Sequence, residues 1–512
     1  MSQPFSPVPL LFVSPPDSEL FAFLSEAHRL VEREPQILER VEEDLDLHGK
    51  RKKALRLQDA EWREARSLAL PTLDLDAAGV PPEALQLETG RPRTPAYVVY
   101  MFLVGRGYYG GFKSSAATDL LLESTTLTVF LSNLGLSMPG ASTLHELANA
   151  VSNETRELIL SAQVRAVLDE GWDDFDRLLQ DSTAVEGNTQ WPKDSQLLVD
   201  LVVRVLRRGA KLDRCGLENI DEPRARKLLG KMVSLHKGIS MASGKAGSRR
   251  ERKKAYRKLL RLTQRALAAL EPQVRRVEQA VESLDILPSR RHVAVRLAQW
   301  LRTDLENLQR VMDCCEARVM QERKVPVEEK VLSVSDPDVG FIAKGGRESV
   351  VGYKPQLGRS GAGFIVGLIV PQGNAADSGQ LVPMFEQVVA RTGVMPTEVS
   401  VDDGYASRAG RDEIKGRGVR VVSISGSKGK NITPPEEWDD LEHVAARDGR
   451  SAVESLMFVL KHGFDFRRVA RRGLENVRAE MIEKSLAYNF CRMAACRRAA
   501  ADAAAGLQRL VA

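Results

Sequence analysis

The chain has 512 residues, 43% of them hydrophobic and 5% aromatic, with a formal net charge of +5. Such a length allows two to four domains, and the hydrophobic share is that of a globular protein. No apolar run reaches the roughly 18 residues needed to span a bilayer, so a membrane protein is not expected, while the small net charge neither identifies nor excludes a nucleic-acid partner.

Taken in chain order, the first sixteen residues are apolar but broken by proline and lack a basic start, so no signal peptide is expected and the cytoplasm is the expected location. Asp17 to about Ser67 has the periodicity of one or two charged amphipathic helices, and a Pro-containing linker follows between Pro71 and Pro95. Residues 1–95 therefore form a helical N-terminal region with its linker. Residues 96–168 alternate apolar runs with Gly and Ser and predict a compact helical module, a candidate for DNA binding by position alone.

The segment FDRLLQDSTAVEGN is different. Its apolar residues and β-branched Thr183 and Val185 predict a strand carrying Asp181 through a core. Residues 169–194 open an α/β core on this strand. From Ser195 to residue 328 the apolar residues recur at three- and four-residue steps, the signature of packed helices. At Val331 the texture changes again. VLSVSDPDVGFIA, GAGFIVGLIVP, TEVSVDD and GVRVVSISG predict strands separated by Gly-rich turns, with helical patterns such as SGQLVPMFEQVVARTG between them. Residues 329–470 thus continue the core, and 471–512 predict a helical, basic C-terminal tail, with helix expected from Ser451 onward. The pattern as a whole predicts one mixed α/β sheet interrupted after its first strand by a large helical insertion.

Cys215, Cys314, Cys315, Cys491 and Cys496 show no zinc-like spacing and predict reduced thiols. GRSGAGFIVG and SGSKGKN lack the lysine and hydroxyl spacing of a phosphate loop, so no ATP requirement is expected.

Three carboxylates fall at informative places: Asp181 on the early strand, Asp402 at the end of EVSVDD, and Glu454 on the helix RSAVESLMFVLKHGF. Strand ends in one sheet, with a helix beside them, can bring these together. Clustered carboxylates repel unless a cation is present, and hard oxygen donors without His or Cys suit Mg²⁺ or Mn²⁺. Two such ions can serve an in-line phosphoryl transfer. Asp336 and Asp338, at a predicted strand start, are rival acids, and Asn188 and Asp194 are candidates for hydrogen bonds near the metal or for capping a turn.

The run Asp181-Ser-Thr-Ala-Val-Glu-Gly-Asn188, followed by Pro192-Lys-Asp194-Ser195, resembles the first-aspartate motif of ISNCY-type insertion-sequence transposases of the DDE type. VDDGYAS is similar to their second-aspartate motif, with Asp402 at the catalytic position and Asp403 at the variable one. Arg447, Arg450, Glu454 and Lys461 are spaced like the tyrosine, arginine, glutamate and lysine of a related signature, and Gly473 to Arg478 also fits. The resemblance covers roughly Thr126 to Asn489. Arg447 stands in place of the tyrosine and Lys193 in place of a threonine, and neither change removes a metal ligand.

The resemblance implies an RNase H-like mixed sheet with a helical insertion after the first strand and helical N- and C-terminal regions. Asp181, Asp402 and Glu454 would be the catalytic metal ligands, with two Mg²⁺ or Mn²⁺ ions. It also implies as substrates double-stranded DNA bearing terminal inverted repeats and a target DNA, and a homodimer in the synaptic complex. Arg450 and Lys461 would contact phosphates at the element's end. The basic stretch with Arg249, Arg250, Lys253 and Lys254, and Arg467, Arg468, Arg471 and Arg472 behind Glu454, are further candidates for phosphate contact. A nuclease or resolvase on the same core, or a non-catalytic DNA-binding descendant, are the alternatives.

Overall fold

The computed structural model describes residues 19–67, 93–109, 120–220, 223–241, 248–343 and 349–511. The Pro-rich leader and most of the expected linker lie outside them. Contacts divide the chain into two units, one of Met1–His48, Thr89–Asn188 and Asp338–Ala512, the other of Gly49–Glu88 and Thr189–Pro337.

The first unit is built on a five-stranded sheet. In chain order the strands are β1 (Arg177–Ser182), β2 (Val185–Glu186), β3 (Gly340–Ile342), β4 (Val350–Tyr353), β5 (Gln356–Ser360), β6 (Ile365–Ile369), β7 (Glu398–Val401) and β8 (Val421–Ile424). The large sheet runs β6-β5-β1-β7-β8, and β2-β4-β3 form a small second sheet. β1 is antiparallel to β5 and parallel to β7, and β7 is parallel to β8. Parallel neighbours need crossover connections, and the helices Leu381–Thr392 and Arg408–Gly416 supply them before β7 and β8.

Leu178, Leu179, Val399, Val401, Val422 and Ile424 are all buried, each worth about 1.5–3 kcal/mol relative to exposure. Helix Leu381–Thr392 lies on β6, β5 and β1, and two glycines permit its approach. A Cβ at Gly367 would overlap Met384 Sδ at 2.2 Å, and one at Gly358 would press on the same sulfur at 3.1 Å. β6 is an edge strand whose backbone is satisfied by side-chain amides. Gln387 accepts from Leu368 N at 2.8 Å and donates to Leu368 O at 3.1 Å. Asn489, on the long C-terminal helix Leu474–Val511, does the same for Ile365 at 2.9 Å each way. Such pairing closes an edge that would otherwise invite another strand.

The C-terminal helix also carries a buried ionic cluster. Glu483 accepts from Arg106 at 2.7 Å, Arg156 at 2.9 Å and Arg471 at 2.7 Å. Despite burial, these three guanidiniums hold its carboxyl well below the usual range.

The second unit is helical. Asp194–Gly209, Pro223–Met241, Ser248–Glu282 and Pro288–Cys315 pack their apolar faces together. Leu198, Leu201, Val205, Met232, Leu259, Leu270, Leu301 and Leu308 form its core.

Three expectations need correction. The strand expected in VLSVSDPDVGFIA is confined to Gly340–Ile342, because Val331 and Val334 pack on the core of the helical unit and Pro337 cannot donate to a ladder. β4 and β5, on either side of Pro355, were not foreseen from SVVGYKPQLGRS, whose Gly, Lys and Arg dilute the strand pattern. Helix does not run unbroken from Ser451. It stops at Gly463 and resumes at Leu474, and the chain between runs beside β2, where Glu186 N–H donates to Arg467 O at 2.8 Å and Val469 N–H to Glu186 O at 2.9 Å. The left-handed φ of Asp465 (50°) and Gly473 (83°) marks both ends of that break. All five cysteines are free thiols, and no helix among the described residues is long and apolar enough to cross a membrane.

Candidate active site

The sheet register places the first two acids. β1 and β7 are parallel, with Leu179 opposite Ser400. Continued two residues further, that register would set Asp181, near the end of β1, level with Asp402, one residue past β7. Each is oriented by its own backbone neighbourhood. Asp181 Oδ1 accepts from Ser182 N at 2.7 Å. Asp402 Oδ1 accepts from Gly404 N at 2.9 Å and caps the short turn Asp403–Tyr405. The adjacent Asp403 faces other duties. Its Oδ1 accepts from Lys428 N at 2.7 Å and Gly429 N at 3.2 Å, tying the turn to helix Gly426–Ile432. Of the two consecutive aspartates, Asp402 is therefore the one left beside Asp181.

Both carboxyls are raised above their usual range. Burial first, then the neighbouring charge of Asp402, pushes the Asp181 carboxyl up to about 6. Asp402 is also raised, by burial and then by the charge of Asp377. Such elevation is what acids show when they gather at a site without enough positive charge.

Asp377 is an acid that the sequence did not announce. It sits in the turn before helix Leu381–Thr392, paired with Lys354 Nζ at 2.7 Å and accepting from Gln356 Nε2 at 2.9 Å. Gln356 in turn accepts from the buried hydroxyl of Tyr405. A Cβ on Gly404 would lie 3.0 Å from Asp402 Oδ1 and 3.1 Å from Asp377 Oδ2, so these acids crowd the same small space. Glycine at 404 leaves room for both. Gly-Tyr after Asp402 was visible in the sequence, but Lys354, Gln356 and Asp377 reach the site only through strand pairing.

Glu454 is placed differently. Its helix, Ser451–Gly463, packs against β1. Its carboxylate is well exposed and accepts from Arg450 at 2.7 Å. The Arg450 charge also bears on Asp181 and Asp402, lowering both. Arg450 thus interacts with Glu454 directly and with both aspartates through its charge. Among the described residues, no group of three or more His, Cys, Asp or Glu is arranged to hold a metal ion. What the structure does show is a pair of hard-oxygen donors with raised carboxyl pKa values, a donor set that fits Mg²⁺ or Mn²⁺.

The remaining candidates separate by their partners. Arg471 was expected to contact DNA, but it is spent on buried Glu483. Arg472 donates to Asn188 O at 2.8 Å, and Asn188 donates to Ala470 O. Arg467 donates to Lys461 O at 3.1 Å and is exposed, as is Arg468. The rival acids have structural roles. Asp338 accepts from Leu474 N at 2.8 Å, capping the C-terminal helix, and Asp336 is fully buried in the helical unit. In that unit Asp194 is gripped by Arg318 at 2.9 Å on both oxygens. Arg249 and Lys253 both pair with Glu322, whereas Arg250 and Lys254 are exposed.

Residues 321–490 match the family model of a transposase DDE domain. The match supports a DDE transposase of an insertion sequence. It includes Asp402 and Glu454 but not Asp181, whose strand β1 pairs with β7. No curated protein and no solved structure matches the chain.

Proposed function

We propose that the chain is the transposase of a bacterial insertion sequence, cutting DNA at terminal inverted repeats and joining the ends to a target. The observation that carries this reading is that Asp181, near the end of β1, feels the charge of Asp402, one residue past the adjacent parallel β7, in the unit that contains most of the DDE match. The strand order β6-β5-β1-β7-β8, three antiparallel strands followed by two parallel ones, supports an RNase H-like core. The helical segment 195–328 is its insertion, residues 1–95 and 96–168 precede it, and 471–512 form the tail.

In this reading Asp181 and Asp402 hold Mg²⁺ or Mn²⁺, with two ions at full occupancy, and Glu454 completes the ligand set. When bound, these ions supply charge stabilisation at a phosphodiester and an activated water or hydroxyl. The residues of the chain do the positioning. The turn bonds from Ser182 and Gly404 fix the two aspartates, and the Lys354–Asp377 pair balances charge beside them. Arg450, within reach of Glu454, is placed to exchange that carboxylate for a DNA phosphate. Lys461, Arg467, Arg468, Arg472, Arg250 and Lys254 are the further phosphate contacts we propose, with Arg249 and Lys253 held near Glu322. A homodimer would pair two element ends, and a soluble protein bound to the nucleoid would meet its DNA there.

The test is purified protein with Mg²⁺ and linear DNA carrying the element's terminal repeats. Joined products are expected from wild type, and Asp402→Asn should lower their yield at least about a hundredfold while DNA is still bound. Full activity in Asp402→Asn would overturn the site. Cut ends without joining would make the chain a nuclease or resolvase.

A further inference from the structure

The helical unit contains a cavity of about 600 Å³ that no part of the reaction above uses. Four segments meet around it: Pro192–Ser195 at the start of one helix, Ile239 and Ser240 at the end of the next, Arg249 to Tyr256 on the long basic helix, and Arg318 to Glu322 beyond Cys315. Its charge is lopsided. Lys193, Arg249, Arg252, Lys253 and Arg318 line it against two acids, Asp194 and Glu322.

The two acids are used to hold cations in place. Asp194 grips Arg318, and Glu322 holds Arg249 at 2.7 Å and Lys253 at 3.4 Å. Among the described residues Lys193 and Arg252 form no ion pair, so the lining keeps two uncompensated cations and an overall positive excess. Ser195, nearly fully buried, lies 3.0 Å from His236 Nδ1, so the floor is polar. The walls offered by Tyr256, Ile239 and Val319 are aromatic or aliphatic. A rigid, water-accessible hollow with excess positive charge selects an anion, and its size matches a small ligand or one link of a polymer. Lys193 is notable because the resembled motif has threonine there. This chain adds a cation at the cavity's edge.

We propose that this cavity receives a phosphodiester of a DNA strand, with Lys193 and Arg252 as its principal contacts and Tyr256 flanking the sugar and base. The inference rests on the transposase reading for the presence of DNA, but it concerns binding and not the aspartate site. Phosphate recognition is the shared chemistry, and a free phosphate is the other source.

The experiment measures fluorescence anisotropy of a labelled DNA duplex over a range of salt concentrations. Compared are the full-length wild type, Lys193→Thr with Arg252→Ala, and the conservative Lys193→Arg with Arg252→Lys. Loss of the two contacts should reduce the slope of log affinity against log salt by about 1 per side chain. The conservative pair should retain it. In parallel, inorganic phosphate is titrated by calorimetry. An unchanged slope in the neutralised pair, in a wild type that binds and cleaves DNA, overturns this proposal and leaves the transposase reading intact. Phosphate binding lost in that pair while the DNA slope stays unchanged overturns it in favour of a small-anion site. A wild type that neither binds nor cleaves DNA overturns both readings. Equal melting temperatures and circular dichroism spectra are expected for all the variants.

Discussion

Asp181→Asn is expected to make the metal-free protein more stable at neutral pH. Asparagine keeps the shape and can still accept from Ser182 N, which removes only the charge. The carboxyl moves from the usual 3.8 in the unfolded chain to about 6 in the folded one. The folded state therefore holds this proton more tightly, and stability declines as pH rises from about 4 to about 6, remaining lower above that. A rise of about two in pKa corresponds to about 3 kcal/mol. In chelator at pH 8, thermal melts followed by circular dichroism should place the variant a few degrees above wild type, and the gap should close below about pH 4. Adding Mn²⁺ should reverse the ranking. Wild type should gain about 4.1 kcal/mol when the ion is at about a thousand times its dissociation constant, more than the deficit of about 3 kcal/mol, and the variant should gain much less. A variant that melts at or below wild type at pH 8 in chelator would show that Asp181 is not a strained acid, and would remove the physical reason for placing a cation there.

Two further outcomes follow from the same charges. Arg450→Ala removes a cation that lowers both Asp181 and Asp402, so the acid limb of the metal-dependent pH–rate profile should move to higher pH, and an unmoved limb would contradict this. Glu483→Gln leaves Arg106, Arg156 and Arg471 around a neutral amide, which should cost about 3–5 kcal/mol. Because the Glu483 carboxyl is held below its usual 4.5, that difference should be full at neutral pH and shrink as acid protonates the wild-type group; melts from pH 7 downward would check it.

How far the sequence reached differs between elements. Strands β6, β7 and β8 and the packed helices of the insertion were legible because apolar spacing is local. The strand carrying Asp181 was legible too, though it breaks between Ser182 and Val185 into β1 and β2. β4 and β5 were not, since the Gly of both strands and the half-buried Lys354 and Arg359 dilute the apolar alternation there. The same limit applies to Arg471. A basic run looks alike whether it faces solvent or, as here, one of its members turns inward to a buried glutamate.

Residue order alone marked Asp181, Asp402 and Glu454 as the acids to watch and laid down the alternation of strands and helices around them. It could not show that Asp377 and Lys354 would crowd Asp402, that Arg450 would take the Glu454 carboxylate, or that Lys193 would line a cavity with Arg252. Periodicity and turn chemistry act over a few neighbouring residues. Strand register and helix packing join side chains hundreds of positions apart, and charge interactions fall steeply with the distances that only this packing sets.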